Sequence, residues 1–170
     1  MKKIEEQKLL LIGVEPNSLI NFRDELIKSF EKAGKIVTTV SLPLSVDQEK
    51  YFLQKRIKHV SIFFQRNGLS PIADLRLFFS MSRLYSQQSP ELVLAYTIKP
   101  VIYGGLVSRV LGIPTISTIT GLGTVFIRET WVTRLVRALY RLSQKKAHHV
   151  FFQNADDRAL FLRNKLVRLS

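Results

Sequence analysis

The sequence predicts an α/β domain: a doubly wound, mainly parallel sheet of about six strands with helices between them. Two observations carry this. Short apolar runs alternate with longer segments of helical periodicity along all 170 residues. The runs are continuous rather than alternating, as in strands covered on both faces.

Leu9-Leu10-Leu11-Ile12-Gly13-Val14 is the first such run. Glu15-Pro16-Asn17-Ser18 breaks it, and Asn17 or Ser18 can cap a helix with apolar positions Leu19, Phe22, Leu26, Ile27 and Phe30. Ala33-Gly34-Lys35 ends that helix with a glycine just past its last turn. The β-branched stretch Ile36 to Leu42 is the second strand. This strand–helix–strand unit has short connections, so its strands are parallel. A short helix over 48–56 and a third strand over 58–64 follow.

Ser70-Pro71 starts the next helix, cap then proline, and Ile72, Leu75, Leu77, Phe78, Met81, Leu84 and Tyr85 continue it to about Gln88. Leu92 to Ala95 is the fourth strand. Val101, Leu106, Val107, Val110 and Leu111 mark a helix stopping at Gly112, and Gly104-Gly105 lets its start pack closely or approach a ligand. The fifth strand is Pro114 to Ile119. The helix over 130–146 places Trp131, Leu135, Leu139 and Leu142 on one stripe and Arg134, Arg137, Arg141 and Lys145 on another. Val150-Phe151-Phe152 is a short sixth strand, and Asn154 caps a last helix with Asp156 and Asp157 in its first turn.

Composition narrows the function. Hydrophobic residues at 46% and charged ones at 23% are globular values. Without cysteine there is no disulfide framework or thiolate metal site. His59, His148 and His149 have no metal-ligand spacing, and no window is long and apolar enough to span a membrane. The expected location is cytoplasmic. A formal charge of +13 points to nucleic acid, an anionic membrane or a phosphate-bearing substrate. Nucleic-acid motifs are missing, so no nucleic-acid partner is expected. The basic stripe with Trp131 suits an anionic membrane surface. Neither the dinucleotide fingerprint nor a P-loop is present, which argues against a generic nucleotide-binding domain.

In open α/β sheets ligands bind beyond the carboxyl ends of the strands. The loops there after the fourth and fifth strands are Thr97-Ile98-Lys99-Pro100 and Thr120-Gly121-Leu122-Gly123. Lys99 near a helix start suits a diphosphate or sugar hydroxyl. The glycines of the second loop suit close backbone approach to a substrate. The Tyr96 hydroxyl could orient a substrate, and a core tyrosine is an equal reading.

These loops, with Ile102-Tyr103-Gly104 and Phe126, resemble the N-terminal domain of family 4 glycosyltransferases. Asn21-Phe22-Arg23 is similar to that family's N-F-R or H-F-R triplet, Phe152-Gln153-Asn154-x-Asp156-Asp157 to its F-Q-N-x-D-D segment, and Gly68-x-x-Pro71 to its helix start. The matches follow one another in order along nearly the whole chain. The resemblance implies a Rossmann-like domain over 1–170, one half of a GT-B architecture, without the C-terminal donor-binding domain and its E-x7-E motif. It implies the acceptor side of a retaining hexosyltransferase acting on an undecaprenyl-diphosphate-linked glycan at the inner membrane face. The implied acceptor contacts are Asn21, Arg23, Tyr96, Thr97, Lys99, Tyr103, Gly104, Thr120, Gly121 and Gly123. Catalytic residues stay unassigned. This domain is expected to bind no cofactor or metal, the nucleotide-sugar donor belonging to the complete enzyme, and to be inactive alone. A separate donor-domain chain is a possible partner. The competing reading is a non-catalytic, membrane-associated acceptor-binding subunit or a truncated remnant.

Overall fold

The computed structural model describes residues 7–65, 70–122, 126 and 130–167. Six strands form one sheet in the order β3-β2-β1-β4-β5-β6, and every pairing is parallel. The strands are β1 (Lys8–Ile12), β2 (Ile36–Ser41), β3 (Lys58–Ser61), β4 (Leu92–Tyr96), β5 (Thr115–Ile119) and β6 (His149–Phe152). The helices between and after them are α1 (Pro16–Lys32), α2 (Val46–Gln54), α3 (Pro71–Gln88), α4 (Gly105–Leu111), α5 (Trp131–Gln144) and α6 (Ala155–Arg163). The order reverses at β1, which lies between β2 and β4, so the topological switch point is the β1/β4 seam.

Two cores cover opposite faces of the sheet. Leu9, Leu11 and Leu94 face α1 and α2, packing with Leu19, Ile27 and Phe52. Leu10, Ile12, Val93 and Ala95 face the other way and pack with α3, α4, α5 and α6 through Leu77, Met81, Val107, Val136, Tyr140 and Phe161. This alternation explains why β1 and β4 read as unbroken apolar runs. At the α5/α6 contact the Tyr140 and Phe152 rings both meet Phe161 edge-on, at 5.0 and 5.2 Å.

Three local readings change. The N-cap of α1 is Glu15 without a side-chain bond, and Pro16 opens the helix. Asn17 instead accepts a bond from Gln48 of α2, and Ser18 accepts one from Arg23. Phe22 is 79% exposed while Arg23 is buried. On α5, Trp131, Leu135 and Leu142 face outward, and Thr133, Val136, Tyr140, Ser143 and Gln144 are the buried side.

The start of the helix after β4 is a π-helical turn over Pro100–Gly104. Glycine here is a packing requirement. A Cβ on Gly104 would stand 2.8 Å from the Tyr85 hydroxyl of α3, and one on Gly105 3.2 Å from Ser143 Cβ of α5. The buried Gln144 amide donates to the Val101 carbonyl at 3.2 Å and to the Ser143 hydroxyl at 2.9 Å. The wider turn therefore has a side-chain partner for a carbonyl near its start.

Candidate functional site

At the carboxyl end of the β1/β4 seam, two polar clusters flank β4, one on each face of the sheet. On the α3 face, Lys99 Nζ donates to Asp74 Oδ1 at 2.8 Å, with both side chains largely buried. Asp74 sits in the first turn of α3, where the helix dipole favours a carboxylate. Tyr103, from the π-helical turn, completes the group. Burial, then the neighbouring Asp74 carboxylate, raises the pKa of its phenol well above the ordinary value.

On the α1 face, Arg23 reaches across to the last residue of β4. Its Nη1 donates to the Ser18 carbonyl and hydroxyl oxygens, each at 2.8 Å, and its guanidinium carbon lies 4.1 Å from the centroid of the Tyr96 ring. Only 8% of Arg23 is exposed. Burial lowers its pKa and raises that of Tyr96, each partly offset by the other. Among the described residues no carboxylate pairs with Arg23.

Thr97 joins the two clusters. It adopts φ of 68°, a left-handed conformation that is strained for a β-branched residue, and its hydroxyl donates to the Tyr96 carbonyl. The strain sits where the chain leaves β4 and turns into Pro100. Thr120 and Gly121 follow the neighbouring β5. Gly121 has φ of 137°, and a Cβ there would meet nothing within 4 Å, so glycine serves the backbone rather than packing.

The structure thus brings Arg23, Tyr96, Thr97, Lys99 and Tyr103 around the end of β4, with Thr120 and Gly121 on the adjacent strand end. Asn21 is exposed on α1. Gly104 is packed beneath Tyr85. Gly123 and Gly68 lie outside the described residues. Asp74 was not singled out from the sequence; its place one turn after Ser70-Pro71 was the available signal, and its pairing with Lys99 arises only in three dimensions. Among the described residues no three His, Asp or Glu side chains gather as a metal site.

The basic stripe on α5 is not uniform. Arg134 and Lys145 are exposed. Arg141 donates to the Asn164 and Lys165 carbonyls at 3.0 and 3.2 Å, closing the end of α6. Arg137 lies over the Phe126 ring, 5.8 Å from its centroid. Trp131, Leu135 and Leu142 share the outer side of α5, and Ile72, Leu75 and Phe79 are exposed on α3. Among the described residues no helix is long and apolar enough to cross a membrane.

Comparison with known proteins agrees with the fold. MurG from Acinetobacter baumannii superposes with a TM-score of 0.61 at 17% identity over 88% of this chain and 41% of that one. A glycosyltransferase from Rickettsia africae ESF-5 gives 0.66 at 13% over 96% and 41%. A putative UDP-N-acetylglucosamine 2-epimerase from Listeria monocytogenes gives 0.65 at 13% over 94% and 42%. The chain spans about two fifths of the length of these structures. No curated protein sequence matches it. Such identities establish the architecture, a Rossmann-like half of the GT-B type, and leave the chemistry to the family. The glycosyl transferase 4-like family model matches residues 8–154, from the first strand through both carboxyl-end loops to the cap of α6, and the chain belongs to that family.

Proposed function

We propose that this domain is the acceptor-binding half of a retaining, hexosyltransferase-type glycosyltransferase that transfers a sugar from a nucleotide-sugar donor to a growing lipid-diphosphate-linked glycan. The supporting observation is the polar rim at the switch point: Arg23, Tyr96, Thr97, Lys99 and Tyr103 surround the end of β4, with Thr120 and Gly121 beside them. In open α/β sheets this is the position where ligands bind. Donor binding belongs to a second domain, in the same or a separate chain, and the residues 1–170 alone are inactive.

Asn21 and the loops ending β4 and β5 supply hydrogen bonds to the acceptor sugar. Gly104 acts indirectly, by holding Tyr103 and the π-helical turn against α3. Lys99 and Asp74 together give the rim a fixed dipole rather than a free positive charge. No residue of this chain is assigned a bond-breaking role.

The outer sides of α5 and α3 support peripheral attachment at the inner, anionic face of the membrane. Trp131 and Leu135 offer apolar insertion beside Arg134 and Lys145, and Phe79 and Leu75 do so beside Arg76 and Arg83. Each exposed cation near such a surface contributes about 1 kcal/mol, screened by salt. In this reading Arg137 and Arg141 contribute field while serving the contacts described above.

Sugar transfer by the chain alone and by the chain joined to a donor domain tests the assignment, with lipid-diphosphate-linked sugars as acceptors and UDP-sugars as donors. Turnover only in the joined form, with the anomeric configuration kept, is expected; turnover by residues 1–170 alone overturns it. Sedimentation with phosphatidylglycerol vesicles tests attachment: Arg134→Glu with Lys145→Glu lowers binding by about thirtyfold or more at low salt, the two lost cations alone removing about 2 kcal/mol. Binding indifferent to anionic lipid would refute the membrane face.

A further inference from the structure

Two cations stand at the end of β4, and their circumstances differ. Lys99 is neutralised at 2.8 Å by Asp74. The partners of Arg23 among the described residues are neutral: the Ser18 oxygens, the ring and hydroxyl of Tyr96, and the Phe22 ring. The Ser18 bonds occupy Nη1. Nε is buried without any hydrogen-bond partner. Its neighbour Nη2 completes the side-on edge of the guanidinium, the edge that meets two oxygens of a carboxylate or phosphate at once.

A buried, unpaired charge is costly, and a buried donor without an acceptor adds to that cost. The cost is repaid when an oxyanion arrives. We infer that the Nε–Nη2 edge of Arg23, braced by Ser18 and stacked on Tyr96, is an oxyanion site at the β1/β4 seam that takes a phosphoryl or carboxylate group of the acceptor. This inference rests on the acceptor-binding reading and names the acceptor's charge. It also moves the anion-recognising role away from Lys99, the residue that the loop sequence favours.

Arginine is specified here for three reasons that lysine cannot meet together. Its plane stacks on Tyr96, one nitrogen stays bound to Ser18, and Nε is a second donor still without a partner. Thr118, paired with Tyr96 in the β4/β5 register, neighbours the Tyr96 hydroxyl. The exposed Phe22, one residue away, puts an apolar surface next to the site at 5.9 Å from the guanidinium carbon.

The test uses the full chain and the ¹⁵N–¹H signal of Arg23 Nε, assigned through its own side-chain bonds. Inorganic pyrophosphate is titrated in one arm and glucuronate in the other, at ionic strength held constant with sodium chloride. A saturable shift of the Arg23 signal is expected in at least one arm, and the arm that shifts identifies the phosphoryl or the carboxylate source. Arg23→Lys weakens that binding at least tenfold, Arg23→Met removes it, and Tyr96→Leu weakens it more than Tyr96→Phe does. Arg134→Gln with Lys145→Gln, which lowers the general positive field, leaves the saturable shift in place. A signal unmoved by both anions overturns the inference even if every variant at Arg23 fails to fold. Tight binding of a neutral acceptor glycan with a silent Arg23 also overturns it, while leaving the acceptor-binding reading standing. Pyrophosphate held at Arg23 without binding of any glycan supports the oxyanion site and removes the acceptor reading.

Discussion

At the scale of single residues, the carboxyl end of β4 concentrates features that a stable fold alone does not require. Asp74 and Lys99 form a largely buried pair, so removing one charge strands the other. Asp74→Asn is expected to cost about 3 kcal/mol in urea unfolding. Asp74→Leu combined with Lys99→Met should recover part of that loss, because no charge is left unpaired while the Tyr103 hydroxyl loses its Asp74 partner. Thr97 holds a left-handed backbone. Thr97→Gly should therefore raise stability by about 1 kcal/mol, the strain released less the entropy that glycine adds to the unfolded chain.

His59 belongs to this scale too. It packs against Phe52, with ring centroids 5.0 Å apart, and its Nδ1 lies 3.1 Å from Thr39 Oγ1. The Thr39 hydroxyl donates to the Lys58 carbonyl, and the other ring nitrogen, Nε2, lies 3.4 Å from Ser41 Oγ. Burial lowers the His59 pKa from 6.5 to about 4. The unfolded chain then binds more protons than the folded one between these values, and stability falls as pH drops through that window. Thermal unfolding from pH 7 to pH 4 should show this loss, and His59→Gln should flatten it.

At the scale of elements, the π-helical turn and α1 carry the lessons. Gly104 abuts Tyr85, whose ring is held in the core by α3 and cannot swing aside. Gly104→Ala is expected to cost about 1–3 kcal/mol by overpacking, measured by chemical unfolding. Ala at Gly112, where nothing lies within 4 Å of a Cβ, meets no such clash; there only the positive φ opposes substitution. The strands were legible because unbroken apolar runs and punctuating Pro and Gly leave few alternatives. Ser70 and Asn154 were legible as caps, and each side chain accepts the expected backbone N–H. The inward side of α1 was not. Hydrophobic pattern selects Phe22, but one residue is about 100° of helix rotation, and packing turns Arg23 inward instead. Lys99 was legible as a rim residue, whereas its neutralisation by Asp74 depends on a helix packed from the other face of the sheet.

At the scale of the whole molecule, helices are distributed so that each sheet face is covered by its own set: α1 and α2 on one side, α3 to α6 on the other. Among the leucine and aromatic side chains left outside these cores, Leu75 and Phe79 lie on the outer side of α3 and Trp131, Leu135 and Leu142 on that of α5. Replacing Trp131, Leu135 and Phe79 together by serine should reduce concentration-dependent association in light scattering while leaving the unfolding midpoint nearly unchanged, since none of the three is buried. A large drop in the midpoint would show that these side chains serve the core after all.

The seam between β1 and β4 also bears on how the chain reaches its native state. Leu9 lies beside Leu92 in the sheet, so closing this one pairing must await the synthesis and ordering of β2, β3 and three helices. Pairings of β1 with β2 and of β4 with β5 close far shorter loops. Two half-sheets can each form early, and joining them is the slow, non-local step. Arg23 comes from one half and Tyr96 from the other. Their stacked contact is therefore a reporter of the last stage of folding, and the ligand crevice comes into being only when the two halves meet.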